Sequence, residues 1–152
     1  MFNIFSKKKK QELIKEVEKI NTGIQNGKLD MRMDTANLSG EYKEIARGIN
    51  KTIDSLIAPI NVTAEYIDRI STGNIPEKIQ DEYKGDFKEI KNNLNKCIDS
   101  INNLVDESLS LADNAVEGFL FQRGDADKFE NSYKDILNGM NASVDALVGH
   151  MD

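Results

Sequence analysis

The sequence is poor in the residues from which reactive sites are usually built. Its 152 residues include one cysteine, Cys97, and one histidine, His150. A lone thiol makes no internal disulfide, which fits a reducing compartment and an expected cytoplasmic location. Cys97 stands beside Ile98 on an apolar stripe and reads as packing. His150 reads as a solvated residue. No apolar run approaches 18 residues, so no membrane span is expected. There is no phosphate-binding loop, metal-ligand cluster or nucleophile–base set. Gly124-Asp125-Ala126-Asp127 has the opening of a calcium loop, but Lys128-Phe129 follow and the closing glutamate is missing. The reading is not an enzyme, with no cofactor and no metal. Basic side chains are also in deficit: 20 Lys and Arg against 26 Asp and Glu leave a net charge of −6. Beyond the N-terminal lysines there is no basic stripe, which argues against nucleic acid as a partner.

What the chain does have is a repeat. Asn50, Asn95 and Asn141 lie 45 and 46 residues apart, and a period of that size organises a fold. Each asparagine follows an aromatic–lysine–acid–isoleucine run: Tyr42-Lys43-Glu44-Ile45, Phe87-Lys88-Glu89-Ile90 and Tyr133-Lys134-Asp135-Ile136. The apolar stripe repeats with it. It runs Tyr42, Ile45, Ile49, Ile53, Leu56, Ile60, then Phe87, Ile90, Leu94, Ile98, Ile101, Val105, then Tyr133, Ile136, Met140, Val144, Leu147, Met151. The steps are 3, 4, 4, 3, 4 in every copy, which is one stripe on a helix. The 3-4-4 part departs from a strict heptad and relaxes a left-handed supercoil locally.

In chain order, residues 1–12 form a basic segment, Met1-Phe2-Asn3-Ile4-Phe5-Ser6 followed by four lysines. It lacks the layout of a signal peptide. Its plainer reading is a disordered, solvated tail; the other is weak contact with an anionic lipid surface. Leu13 or Ile14, Val17, Ile20 and Ile24 mark a first helix ending near Asn26-Gly27. A second helix is expected from Glu41 to about Thr72, with Ser39 as its N-cap and a bend or joint at Ala58-Pro59. A third is expected from Asp86 to about Glu117, and a fourth from Ser132 to the end.

Between helices lie polar connectors of about a dozen residues. Gly27, Gly73 and Gly118 close the preceding helices. Two residues on comes an aliphatic anchor, Leu29, Ile75 or Leu120. Four further on comes a second anchor, Met33 or Ile79, with Gly124 in the third copy. An extended connector of this length reaches about 40 Å, enough to return the chain to the end from which it started. The flanking helices then run parallel. Two helices do not enclose so wide a stripe, so a second copy is expected to complete a parallel four-helix bundle.

These residues resemble a HAMP domain. The resemblance is carried by Pro59, Gly73, Ile75 and Ile79, then by Asp86-Phe87-Lys88-Glu89-Ile90 and Leu94-Asn95. It is best over residues 59–103. Residues 13–58 resemble it through Gly27, Leu29, Met33, Glu41, Ile45 and Asn50, with Leu13 at the proline position. Residues 104–152 resemble it through Gly118, Leu120, Ile136 and Asn141; Leu104 replaces the proline, Gly124 the second anchor and Ser132 the acidic residue. The resemblance implies an all-α chain of three consecutive helix–connector–helix units. These would be joined by long near-continuous helices and paired as a parallel homodimer. It implies a relay that passes conformational change between input and output domains, in a protein like a chemotaxis receptor or sensor kinase. Pro59 would be the joint between units. The other reading is a coiled-coil scaffold that does not switch.

Overall fold

The structure, a computed structural model, describes residues 2–149, with side chains from Lys7 to Gly149. The readings of His150 and Met151 lie outside the described residues. The regular elements are four helices and one 3-10 turn, with no strand among the described residues. They are α1 (Phe2–Gln25), α2 (Glu41–Ser71), α3 (Asp86–Val116), the turn Ala126–Lys128, and α4 (Asn131–Gly149).

The basic segment is helical, not a disordered tail: α1 begins at Phe2. Residues 2–12 contain neither glycine nor proline, and the lysines, Gln11 and Glu12 are good helix formers. Lys9 adds a tertiary tie, its Nζ donating to Ser39 Oγ. That bond engages the hydroxyl expected to cap α2. The capping position falls instead on Gly40, whose carbonyl accepts from the amides of Lys43 and Glu44. Helix α2 continues through Pro59, and the Pro59 carbonyl accepts from Thr63 Oγ1 at 2.8 Å.

All three long helices that lead into connectors end alike. Gly27, Gly73 and Gly118 take left-handed backbone angles, with φ of 76°, 77° and 85°. The next amide then reaches back to a carbonyl one turn earlier: Lys28 to Gly23, Asn74 to Arg69 and Phe119 to Asn114, at 2.8–3.0 Å. This double closure satisfies carbonyls that a helix end otherwise leaves unpaired.

The chain falls into two compact units, Met1–Ala64 and Glu65–Asp152. In the first, α1, the connector and the first half of α2 bury Ile20, Met33, Leu38, Ala46 and Ile53, flanked by Leu13, Met31, Tyr42, Ile49 and Ile57. In the second, the buried apolar residues are Pro76, Ile79, Leu94, Ile98, Leu111, Phe129, Leu137 and Val144. There α4 packs on α3 and on the 3-10 turn.

Only part of each apolar stripe is used inside these units. Ile53, Ile98 and Val144 are buried, while Ile45, Ile90 and Ile136 remain 48%, 42% and 47% exposed. Leu56 and Leu147, in register with each other, are exposed as well, as are Ile60 and Val105 one stripe position further on; Ile101, which matches Leu56, is half-buried. The helices therefore carry two apolar faces: one packs within the chain and the other is bare.

Candidate functional site

The recurrent asparagines hold the connectors. Asn50 Oδ1 accepts from the Met33 amide at 2.8 Å, and its Nδ2 donates to the Met33 carbonyl at 3.0 Å. Asn95 makes the same pair of bonds to Ile79, at 2.8 and 3.1 Å. Asn141 makes them to Gly124, at 2.8 and 2.9 Å. An extended connector has no strand partner, so its amides and carbonyls must be satisfied by other means. A carboxamide offers an acceptor and a donor side by side and so mimics the edge of a neighbouring strand. The bonded residue is the second-anchor position in each case.

An ion pair sits beside each clamp. The residue before the anchor reaches the aspartate one helical turn after the asparagine. Arg32 meets Asp54 at 2.7 Å, Lys78 meets Asp99 at 3.1 Å and Arg123 meets Asp145 at 2.6 Å. The two arginines also fold onto the connector. Arg32 Nη1 donates to the Leu29 and Met31 carbonyls, and Arg123 Nη1 to those of Leu120 and Gln122. The aspartates are largely exposed, so each pair contributes little to stability by itself. What the pair supplies is register.

The first and third connectors share a further lock. Glu16 Oε2 accepts from the Asp34 amide at 2.8 Å, and Glu107 Oε2 from the Asp125 amide at 3.3 Å. Glu107 also accepts from Lys128 Nζ at 2.5 Å. Chiefly through that bond, and then through the Asp125 amide, its carboxyl is held below the ordinary glutamate value. The second connector has Val62 at the matching position and is closed differently. Lys91 Nζ donates to the Gln80 and Asp81 carbonyls at 3.4 and 2.6 Å.

The third connector compensates for its missing anchor. A Cβ on Gly124 would lie 2.6 Å from Leu137 Cδ1, and Leu137 is fully buried. The equivalent pair in the first connector is Met33 and Ala46, both buried in one cluster. The large side chain has changed sides, and the pocket stays filled. Asp125 and Asp127 of the calcium-loop fragment serve locally. Asp125 accepts from the Asp127 amide at 3.2 Å, and Asp127 pairs with Lys134 at 2.7 Å.

The first anchors Leu29, Ile75 and Leu120 are half-buried, less covered than Met33 and Ile79. In the second connector the neighbour Pro76 is more deeply buried than Ile75. A third anchor was not foreseen: Leu38, Tyr83 and Phe129 occupy equivalent positions, and Leu38 and Phe129 are buried. Each lies two residues before a left-handed residue that opens the next helix, Gly40, Gly85 or Asn131. That spacing is the signal that would have marked it. Glu41 and Asp86 open α2 and α3 as exposed acids in the first turn, where the helix dipole favours them. Cys97 is exposed, not packed. The buried seam of α3 passes through Leu94 and Ile98, and Cys97 lies off it.

Residues 37–103 match the family model described as HAMP domain. The match takes in α2, the second connector with its clamp, and α3 as far as Asn103. No curated protein and no solved structure matches the chain. No described helix is long and apolar enough to cross a membrane.

Proposed function

We propose that this chain, whose residues 37–103 form a HAMP domain, is a signal-relay module. It acts as a parallel homodimer of three consecutive units, residues 13–58, 59–103 and 104–152. The domain belongs to signal transduction, and within it a helix pair on each of two chains makes one bundle. The observation that carries the reading is the bare apolar face, repeated in register at Ile45, Ile90 and Ile136. Three equal exposures at one repeat position call for one partner surface, and a second copy in the same orientation supplies it. Input and output domains of a chemotaxis-receptor-like or sensor-kinase-like protein complete the pathway, with the module on the cytoplasmic side.

Relay needs coupling between units. Helix α2 runs unbroken from Glu41 to Ser71 and so belongs to the second helix of one unit and the first of the next. A rotation or tilt at one end is carried to the other through Pro59. The clamped connectors fix helix pairs in register while leaving few buried contacts, which suits two packings of similar free energy.

The test is a phase insertion between a sensor and a kinase-controlling domain. One residue added after Ala58 turns the downstream stripe by about 100°, and seven restore its phase almost fully. The seven-residue insertion is expected to keep the signal response, and the one-residue insertion to lock or invert it. Equal output from the two, with both proteins folded and dimeric, would leave a passive scaffold as the reading.

A further inference from the structure

The third copy of the repeat carries apolar side chains that the first does without. Counted from the glycines that close the helices, Leu109, Val116, Phe119 and Phe121 stand where the first copy has Glu18, Gln25, Lys28 and Asp30. The second copy has Ala64, Ser71 and Asn74 at the first three of these places and a buried Pro76 at the fourth. The first copy folds with polar side chains there, so packing within a unit does not call for apolar ones. All four in the third copy are exposed, Val116 and Phe121 by 87% and 88%. A contact common to the three copies would be apolar in all of them, as at Ile45, Ile90 and Ile136. These four residues serve the third copy alone.

Helical register gathers the helical part of this surface on one face of α3. At about 100° per residue, Asp106, Leu109, Asp113, Val116 and Glu117 fall within about 100° of the circumference. Leu111, which is buried, falls about 160° from Leu109. Phe119 and Phe121 follow directly after Gly118. The three acids on the face are exposed. No lysine or arginine occurs between Lys96 and Arg123, and Arg123 is held by Asp145. The face is thus apolar with an acidic border. A second copy of it brings the same acids and is repelled, as are anionic lipid and nucleic acid. A partner that combines apolar and cationic side chains complements it. Leu109 and Val116 stand two turns apart, about 10.5 Å along the axis, which is the spacing at which a partner helix sets its residues i and i+7.

We propose that this face of the third copy docks an amphipathic helix of another protein. The apolar stripe of that helix covers Leu109, Val116, Phe119 and Phe121, and its lysines or arginines meet Asp106, Asp113 and Glu117. The apolar contacts supply affinity, and the acidic border selects a basic helix over an acidic one and makes docking salt-dependent. The dock holds its partner on the third unit whether or not the units switch.

The experiment is fluorescence anisotropy of a labelled synthetic helix of about four turns, built of leucine and lysine alone with its leucines on one face, titrated with the full chain. Its counterpart carries glutamate in place of lysine. The lysine peptide is expected to bind, less tightly as salt is added, and the glutamate peptide to bind at least tenfold more weakly. Giving the third copy the residues of the first (Leu109→Glu, Val116→Gln, Phe119→Lys, Phe121→Asp) is expected to weaken binding of the lysine peptide at least tenfold, with the mass of the assembly unchanged. The pair Asp113→Lys and Glu117→Lys, which leaves the apolar residues in place, is expected to reverse the preference between the peptides. Absence of wild-type binding, equal binding of the two peptides, or wild-type affinity in the four-residue variant overturns the proposal. So does an unchanged preference in the lysine pair. A fall in mass of the four-residue variant overturns it as well, since the face would then belong to the contact between copies of this chain.

Discussion

Asn95 grips Ile79 by both of its backbone polar groups, its Oδ1 accepting from the amide at 2.8 Å and its Nδ2 donating to the carbonyl at 3.1 Å. The bond pair joins a helix to an extended segment 16 residues earlier and places the Ile79 side chain in the core, where it is buried. Backbone order and side-chain burial are thus fixed by one residue. The same arrangement at Asn50 and Asn141 explains why asparagine recurs at this position in every copy.

Replacing Asn95 by alanine leaves a half-buried amide and carbonyl without partners. Such groups cost about 1–3 kcal/mol each when they are stranded. Asn95→Ala is expected to lower the denaturant midpoint of the second unit accordingly. Asn95→Asp should fall at least as far, because it loses the donor and sets a carboxylate against the Ile79 carbonyl. An unchanged midpoint for Asn95→Ala would show that the clamp is ornamental.

The exchange of size between Gly124–Leu137 and Met33–Ala46 predicts strong non-additivity. Gly124→Met alone meets Leu137 and overpacks the site, at about 1–3 kcal/mol. Leu137→Ala alone opens a cavity, at about 2–5 kcal/mol. The double variant rebuilds the arrangement of the first connector and is expected to recover much of the loss in a double-mutant cycle. Additive losses would mean that the two sites are not interchangeable.

Asn131 stands where the other units have Gly40 and Gly85. All three have positive φ, at 51°, 56° and 56°. Asparagine tolerates the left-handed region better than other residues with side chains, and β-branched ones tolerate it worst. Asn131→Gly should therefore be neutral or mildly stabilising. Asn131→Val should cost about 1–2 kcal/mol. Calorimetric melting in which valine equals glycine would contradict the assigned backbone.

Glu107 makes the third connector sensitive to acid. Its folded value lies below the ordinary 4.5, so the carboxylate's contribution is fully present above that pH and is lost as pH falls through the lower value. The carboxylate is half-buried at the surface and its partner Lys128 is exposed, so solvent screens the pair and the effect is modest. At pH 7 the wild type should melt above Glu107→Gln, and the gap should close well below pH 4.5. A gap that persists in acid would assign the difference to packing instead of charge.

Much of this architecture was legible in the sequence because glycines and helix-opening acids punctuate it. The ends of α2 and α3 fall within a residue of their expected places at Gly73 and Gly118. The left-handed residue is a local requirement that one glycine announces. The start of α1 was not legible: a lysine run has the same composition in a solvated tail and in a helix, and the bond from Lys9 to Ser39 spans 30 residues. Leu137 was hidden for a related reason. It lies one position off the repeating stripe, and only the space beside Gly124 shows what it fills. The stripe itself was read as one surface, whereas packing divides it between Ile53, Ile98 and Val144 on one side and Ile45, Ile90 and Ile136 on the other. Spacing reveals how wide an apolar face is, but not how many neighbours share it.

The bare half of that stripe carries the functional reading, and cysteine cross-linking tests it most directly. In a Cys97→Ser background, Ile45→Cys, Ile90→Cys and Ile136→Cys are oxidised singly and in mixtures at micromolar concentration. A disulfide needs Cα atoms within about 7 Å, so only residues facing each other across the interface join. Parallel homodimers predict efficient cross-linking of each position to itself and none between Ile45→Cys and Ile136→Cys. A monomeric mass with no cross-link, or a preferred bond between positions 45 and 136, would contradict the dimeric relay.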